Sequence, residues 1–174
     1  MDKNVYKSNE STILYGVPKV EYGAFGGCTP YPICLKACSE YLGEDLEYCF
    51  TMVSGAAAFR LAWNTGCWDL SNVDIFHTLE ETNEIYGLGA KALGREFSIL
   101  GRDKETTKED FIQFIKEHID EGYPCIALGI IGPPEPCLIT GYRKNGEELL
   151  GWNFFQNDPE FAANIEIDES GYFV

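Results

Sequence analysis

The stretch "GPPEPCLITGYRKNGEELLGWNFF", residues 132 to 155, decides the fold. Two apolar runs, "CLITGY" and "ELLGWNFF", flank the turn "KNGE". An Asn-Gly pair between apolar runs is a strong local hairpin signal, because both residues tolerate the left-handed backbone of a tight turn. The stretch therefore predicts two adjacent antiparallel strands joined at Asn145-Gly146. Ahead of them, "YPCIALGII" at 123 to 131 is a near-continuous apolar run of strand length. "NIEID" and "GYFV", near the end, predict two more short strands.

Upstream the texture is helical. "TPYPICLKACSEYL" at 29 to 42 predicts a helix, with Thr29 as N-cap, Pro30 at the first helical position and Gly43 as the stop. A second helix is expected over about 46 to 62, with the small-residue centre "SGAAA", and a short one near 80 to 93 leads into a strand, "EFSIL". "TTKEDFIQFIKEHIDEG" carries the clearest helical pattern. Thr107 caps it, Asp110 occupies the capping-box position, and Phe111, Ile112, Phe114, Ile115 and Ile119 make one apolar face. The first 20 or so residues read as an extended arm, with "STILYGVPKVEY" the earliest strand. Helices in the first two thirds and an antiparallel sheet in the last third make an α+β class. The expected domain is single, 1–174, with a helical part over about 20–121 and a sheet part over about 122–174. The sequence stops inside the apparent strand "GYFV", which reads as a domain cut from a longer chain.

Composition bounds the partners. Acidic residues number 28 against 13 basic ones, a net charge of −15, so phosphate-rich nucleic acid and anionic membranes are repelled. A neutral, cationic or peptide ligand is compatible with that charge. No apolar run is long enough to span a bilayer. Seven cysteines without a secretory signal point to reduced thiols in a cytoplasmic protein. With no C-x-x-C pair and two histidines, His77 and His118, neither a structural zinc site nor a cofactor is expected.

Cys28 is the first candidate for chemistry. It follows Gly26-Gly27 and precedes the first helix, where the helix dipole and free N–H groups favour the thiolate. The plain alternative is a small residue filling space ahead of a helix. Cys34 and Cys38, four apart in mid-helix, read as packing, as do Cys49 and Cys125 in their apolar runs. His118 lies beside the apolar helical face and His77 in a loop; both read as surface or capping residues. Arg60, Trp63 and Asp69 read as an ion pair beside aromatic packing, or as a pocket wall.

A cysteine at the head of the first helix, a helical lobe, then strands carrying "CLITGY" and "LLGWNFF" together resemble the papain-like cysteine peptidase fold. Within it the chain is most similar to the bacterial leader-peptidase type and to the N-terminal domain of the butirosin-biosynthesis acyltransferase. The resemblance covers roughly residues 20 to 157. It implies a triad at Cys28, Glu135 and Asn153, in which Glu135 stands where those families place a histidine. A carboxylate is a much weaker base than imidazole at neutral pH, about 4.3 against about 6.5 in pKa, and its charge opposes thiolate formation nearby. A Gln shortly before Cys28, an oxyanion donor in many papain-like enzymes, is also missing. The resemblance thus implies a catalytically degenerate domain acting as a ligand-binding or regulatory module. Cys28, Glu135, Cys137, Trp152 and Asn153 would line its cleft, with Arg60 and Trp63 as further ligand-binding candidates. The expected ligand is a small molecule or peptide, and the acid at the centre suits a cationic one. The alternative is an active thiol-dependent hydrolase or acyltransferase with Cys28 as nucleophile.

Overall fold

The structure is a computed structural model. It describes residues 4–55, 87, 90, 91 and 93–174, with 52–55 described by backbone alone. The chain divides into two compact units, one of Met1–Asp45 with Leu100–Val174 and one of Leu46–Ile99. The described residues form an α+β arrangement of three α-helices and a five-stranded antiparallel sheet.

In the first unit the sheet is built on β4 (Pro136–Arg143), which pairs along one edge with β5 (Glu148–Trp152). The last rung is Arg143 opposite Glu148, so residues 144 to 147 form the turn. Lys144, Asn145 and Gly146 all have positive φ, at 50°, 57° and 99°. The Asn-Gly signal thus marks a real hairpin, but with three left-handed residues rather than two. Thr140 is an extra residue in the ladder: Ile139 pairs with Gly151 and Gly141 with Leu150. Its hydroxyl donates to the Leu150 carbonyl at 3.3 Å.

β4 carries two further partners. β3 (Cys125–Leu128) pairs with residues 136 to 139. β2 (Thr12–Tyr15) pairs through Thr12 with Tyr142 and through Ile13 with Gly141. β1 (Asn4–Lys7) completes the sheet by pairing with β2. The expected N-terminal arm is therefore a hairpin, closed by Ser8 N–H donating to Ser11 O at 2.8 Å, and the sheet draws on both ends of the chain. The sequence reading placed all sheet pairing in the last third, because contacts between residues 130 positions apart leave no local pattern.

Other corrections are smaller. "EFSIL" forms no strand: residues 96 to 100 lie outside any strand, and Phe97 and Ile99 are exposed. "NIEID" and "GYFV" meet only as isolated bridges, Ile167 with Phe173 and Gly151 with Phe173. Of "YPCIALGII", four residues are strand; Gly129 and Gly132 take positive φ and turn the chain away.

Helix α1 (Pro30–Tyr41) starts with Thr29 at the cap position and proline at its first turn, although the threonine side chain makes no capping bond. It packs on β4. Ile33, Cys34 and Ala37 are fully buried. Lys36 is buried too, and its ammonium is held by Glu40 at 3.0 Å and Asp45 at 2.9 Å. Helix α2 (Tyr48–Gly55) belongs to the second unit; the rest of the expected 46–62 helix, and most of the one near 80–93, lie outside the described residues. In α2, Cys49 is exposed, so it does not pack as expected.

Helix α3 (Lys108–Asp120) has the capping box expected for it, with Thr107 Oγ1 accepting from Asp110 N–H and Asp110 accepting from Thr107 N–H. It packs against β2, β3 and β4. Ile115 and Ile119 are buried, each such side chain contributing about 1.5–3 kcal/mol of apolar burial. A Cβ on Gly146 would strike Ile112 of α3, so the hairpin turn sits directly on this helix. Asp120 ties the assembly together: its Oδ1 accepts from Thr12 Oγ1 at 2.5 Å and from Tyr142 OH at 2.9 Å. No described helix is long and apolar enough to cross a membrane.

Candidate functional site at the head of β4

Glu135 stands immediately before β4, between Pro134 and Pro136. Its N–H donates to Pro133 O at 2.7 Å, closing a tight three-residue turn. Proline on both sides fixes φ of the neighbours, so the acid is presented by a stiff support. The residue is half-buried. Among the described residues its carboxylate meets no cation and no hydrogen-bond donor. Burial holds its pKa above the ordinary range. Its charge is felt by two groups, the Tyr22 phenol and the Cys34 thiol.

Four thiols line the seam between α1 and the β3–β4 ladder. Cys34 and Cys38 occupy one stripe of α1. Cys125 pairs opposite Ile139 and Cys137 opposite Ala127, which puts both cysteines on one face of the β3–β4 ladder. Burial pushes all four thiols up, with Cys38, Cys125 and Cys137 raised to about 12. Cys34 feels Cys38, Cys137 and Glu135 as well, and Cys38 feels Cys125. These are neutral packing thiols, as the sequence suggests for Cys34, Cys38 and Cys125. The side chain of Asn153 bonds to Cys137, which opposes the rise, but burial outweighs it. Among the described residues, no group of three or more His, Cys, Asp or Glu is placed to hold a metal ion.

Cys28 is exposed, two residues ahead of Pro30. It follows the turn formed by residues 21 to 27, where Gly23 N–H donates to Gly27 O at 2.8 Å. Among the described residues its sulfur has no hydrogen-bond partner. His118 is on α3, with Nδ1 2.8 Å from the Phe114 carbonyl. Arg60, Trp63, Asp69 and His77 lie outside the described residues.

Trp152 and Asn153 are buried at the end of β5. Trp152 Nε1 donates to Val17 O at 2.9 Å, and its ring meets Tyr172 edge-on at 4.9 Å. Asn153 accepts from Phe155 N–H at 2.8 Å, turning the chain after the strand, while its own N–H donates to Gln156 Oε1 at 2.9 Å. The structure thus brings Glu135, Cys34, Cys137 and Asn153 into one neighbourhood. It gives Trp152 a bonding role within the core.

Tyr22 is the residue that sequence reading missed. It is half-exposed, and it meets Phe154 at 5.0 Å and Phe155 at 6.3 Å between ring centroids. The signal available was the run of aromatics in "GWNFF", but nothing local tied it to position 22. Comparison with protein-family models, with curated proteins and with solved structures gives no match to this chain.

Proposed function

We propose that this chain is a catalytically degenerate papain-like domain that binds a cationic small molecule or peptide at the head of β4. The observation that carries the reading is Glu135, a half-buried carboxylate without a donor or a cation among the described residues. A partly desolvated acid left unpaired costs stability, and a positively charged ligand supplies the missing partner. The surroundings oppose nucleophilic chemistry. Thiols adjoining Glu135 are held neutral, whereas an activated thiol needs a depressed pKa or a base within hydrogen-bond reach. The net charge of −15 favours cationic partners over nucleic acid. The six cysteines among the described residues are all free, which suits a reducing, cytoplasmic setting.

A thiol-dependent hydrolase or acyltransferase is the second reading, and what favours it is the exposure of Cys28 just ahead of α1. A panel of fluorogenic peptides and acyl thioesters, run on the parent protein and on Cys28→Ala, separates the two. The binding reading expects no turnover that depends on Cys28. Turnover abolished by Cys28→Ala overturns it.

A further inference from the structure

The surface beside Glu135 is aromatic. Tyr22 and Phe154 are tilted at 52° with centroids 5.0 Å apart, and Tyr22 meets Phe155 at 73°. Phe155 in turn meets Phe161 edge-on at 5.4 Å. These rings are not all core: Tyr22 is 51% exposed and Phe161 39%. The loop that presents Glu135 is seated on them. A Cβ on Gly132 would lie 3.1 Å from Phe161 and 3.3 Å from Phe155, so the backbone there rests against both rings. Tyr22 arrives from the N-terminal part of the chain, in the turn of residues 21 to 27 that precedes Cys28. An acid and an aromatic corner thus share one patch, and the Tyr22 phenol feels the Glu135 charge.

We infer that this corner binds a substituted ammonium group, with Glu135 as its counter-charge and the faces of Tyr22, Phe154 and Phe155 as its walls; the inference rests on the binding reading above. The chemistry selects among cations. The face of an aromatic ring is electronegative and attracts a cation within about 6 Å of its centroid. A small, strongly hydrated ion cannot lose its water to such a surface. An alkylated ammonium is weakly hydrated, and its carbon substituents also gain by leaving water against the rings. A carboxylate alone would not make this distinction. Rings alone would accept a neutral ligand of the same shape.

The test uses choline chloride and its neutral isostere 3,3-dimethylbutan-1-ol as probes on the whole chain, at matched ionic strength. Binding is followed by protein amide shifts and by the N-methyl proton signal, which moves upfield over ring faces. Saturable choline binding is expected, with the isostere roughly tenfold weaker or more. Tyr22→Ala and Glu135→Gln should each weaken choline by about fivefold or more, and Tyr22→Phe, which keeps the ring, should retain most of the affinity. Equal affinity for the isostere, or choline binding indifferent to Tyr22→Ala in a variant with an unchanged melting temperature, overturns the inference. No choline binding together with no peptide turnover overturns the ammonium assignment. Turnover dependent on Cys28 overturns the binding reading itself, whatever choline does.

Discussion

The indole N–H of Trp152 donates to the carbonyl of Val17 at 2.9 Å, joining the end of β5 to the chain that leaves β2. Both residues are buried, so water cannot replace either partner. Trp152→Phe keeps most of the apolar volume and removes the donor. The buried Val17 carbonyl is then unsatisfied, at a cost of about 1–3 kcal/mol. Urea denaturation should show a lower midpoint with little change in slope. An unchanged midpoint would mean that the bond contributes nothing and that Trp152 is free to serve a ligand.

Gly151 is a position where the sheet leaves no room for a side chain. A Cβ there would collide with the Leu138 carbonyl oxygen and lie 3.1 Å from Ile139 Cα. Its own N–H and C=O are engaged with Phe173 at 3.2 and 2.9 Å. Gly151→Ala must therefore separate β4 from β5, and it should destabilise by about 3 kcal/mol or lose soluble expression. A thermal melt near that of the parent would show that the β4–β5 register is wrong.

The cysteines should divide by exposure. Cys28 and Cys49 are open to solvent and Cys34 and Cys137 fully buried, while Cys38 and Cys125 are partly buried, with thiols that burial pushes up to about 12. Native-state alkylation with iodoacetamide, mapped by peptide mass, should label Cys28 and Cys49 within the time in which the four seam thiols stay unmodified. All should react once the chain is unfolded in denaturant. Early labelling of Cys34 or Cys137 would show that α1 does not close over the β3–β4 face.

Glu135 has a sign that can be checked with pH. Burial holds its folded-state pKa above the ordinary value, which is about 4.3 in the unfolded chain. Between those two values the folded chain holds more of the proton, so stability falls as pH rises through that window. Glu135→Gln removes the ionisation. The variant should be at least as stable as the parent near neutral pH, and the difference should vanish below about pH 4. The group is half-buried, so the effect is a small one. Melting temperatures across the acid range measure it. A Gln variant that melts lower at neutral pH would mean that the carboxylate accepts structural hydrogen bonds.

Local chemistry carried much of the fold in the sequence. Thr107 and Asp110 cap α3 as their spacing requires, and Asn145-Gly146 turns the β4–β5 hairpin. In each case the determining residues are three or fewer positions apart, so side chain and backbone satisfy one another before any packing. The α+β class followed from these elements. Gly141, within the predicted strand "CLITGY", also has a role that no local pattern shows. A Cβ there would lie 2.8 Å from Thr12 O, and its absence lets β2 lie against β4.

That approach is what only the tertiary structure decided. The N-terminal hairpin enters the sheet through pairs 128 or 130 residues apart, Thr12 with Tyr142 and Ile13 with Gly141. Register between distant strands depends on which faces are buried together, and that is a property of the assembled core. The site follows the same rule. Glu135 was visible in the sequence as an acid where a base was expected. Its neighbours were not: the charge falls on Tyr22 and Cys34, 113 and 101 residues away in sequence, with α1 packed onto β4. Sequence determined which residues could do chemistry, through pKa, size and local bonding. Tertiary packing determined which of them meet, because burial raises or lowers the energy of a charge only after the surrounding chain has removed the water.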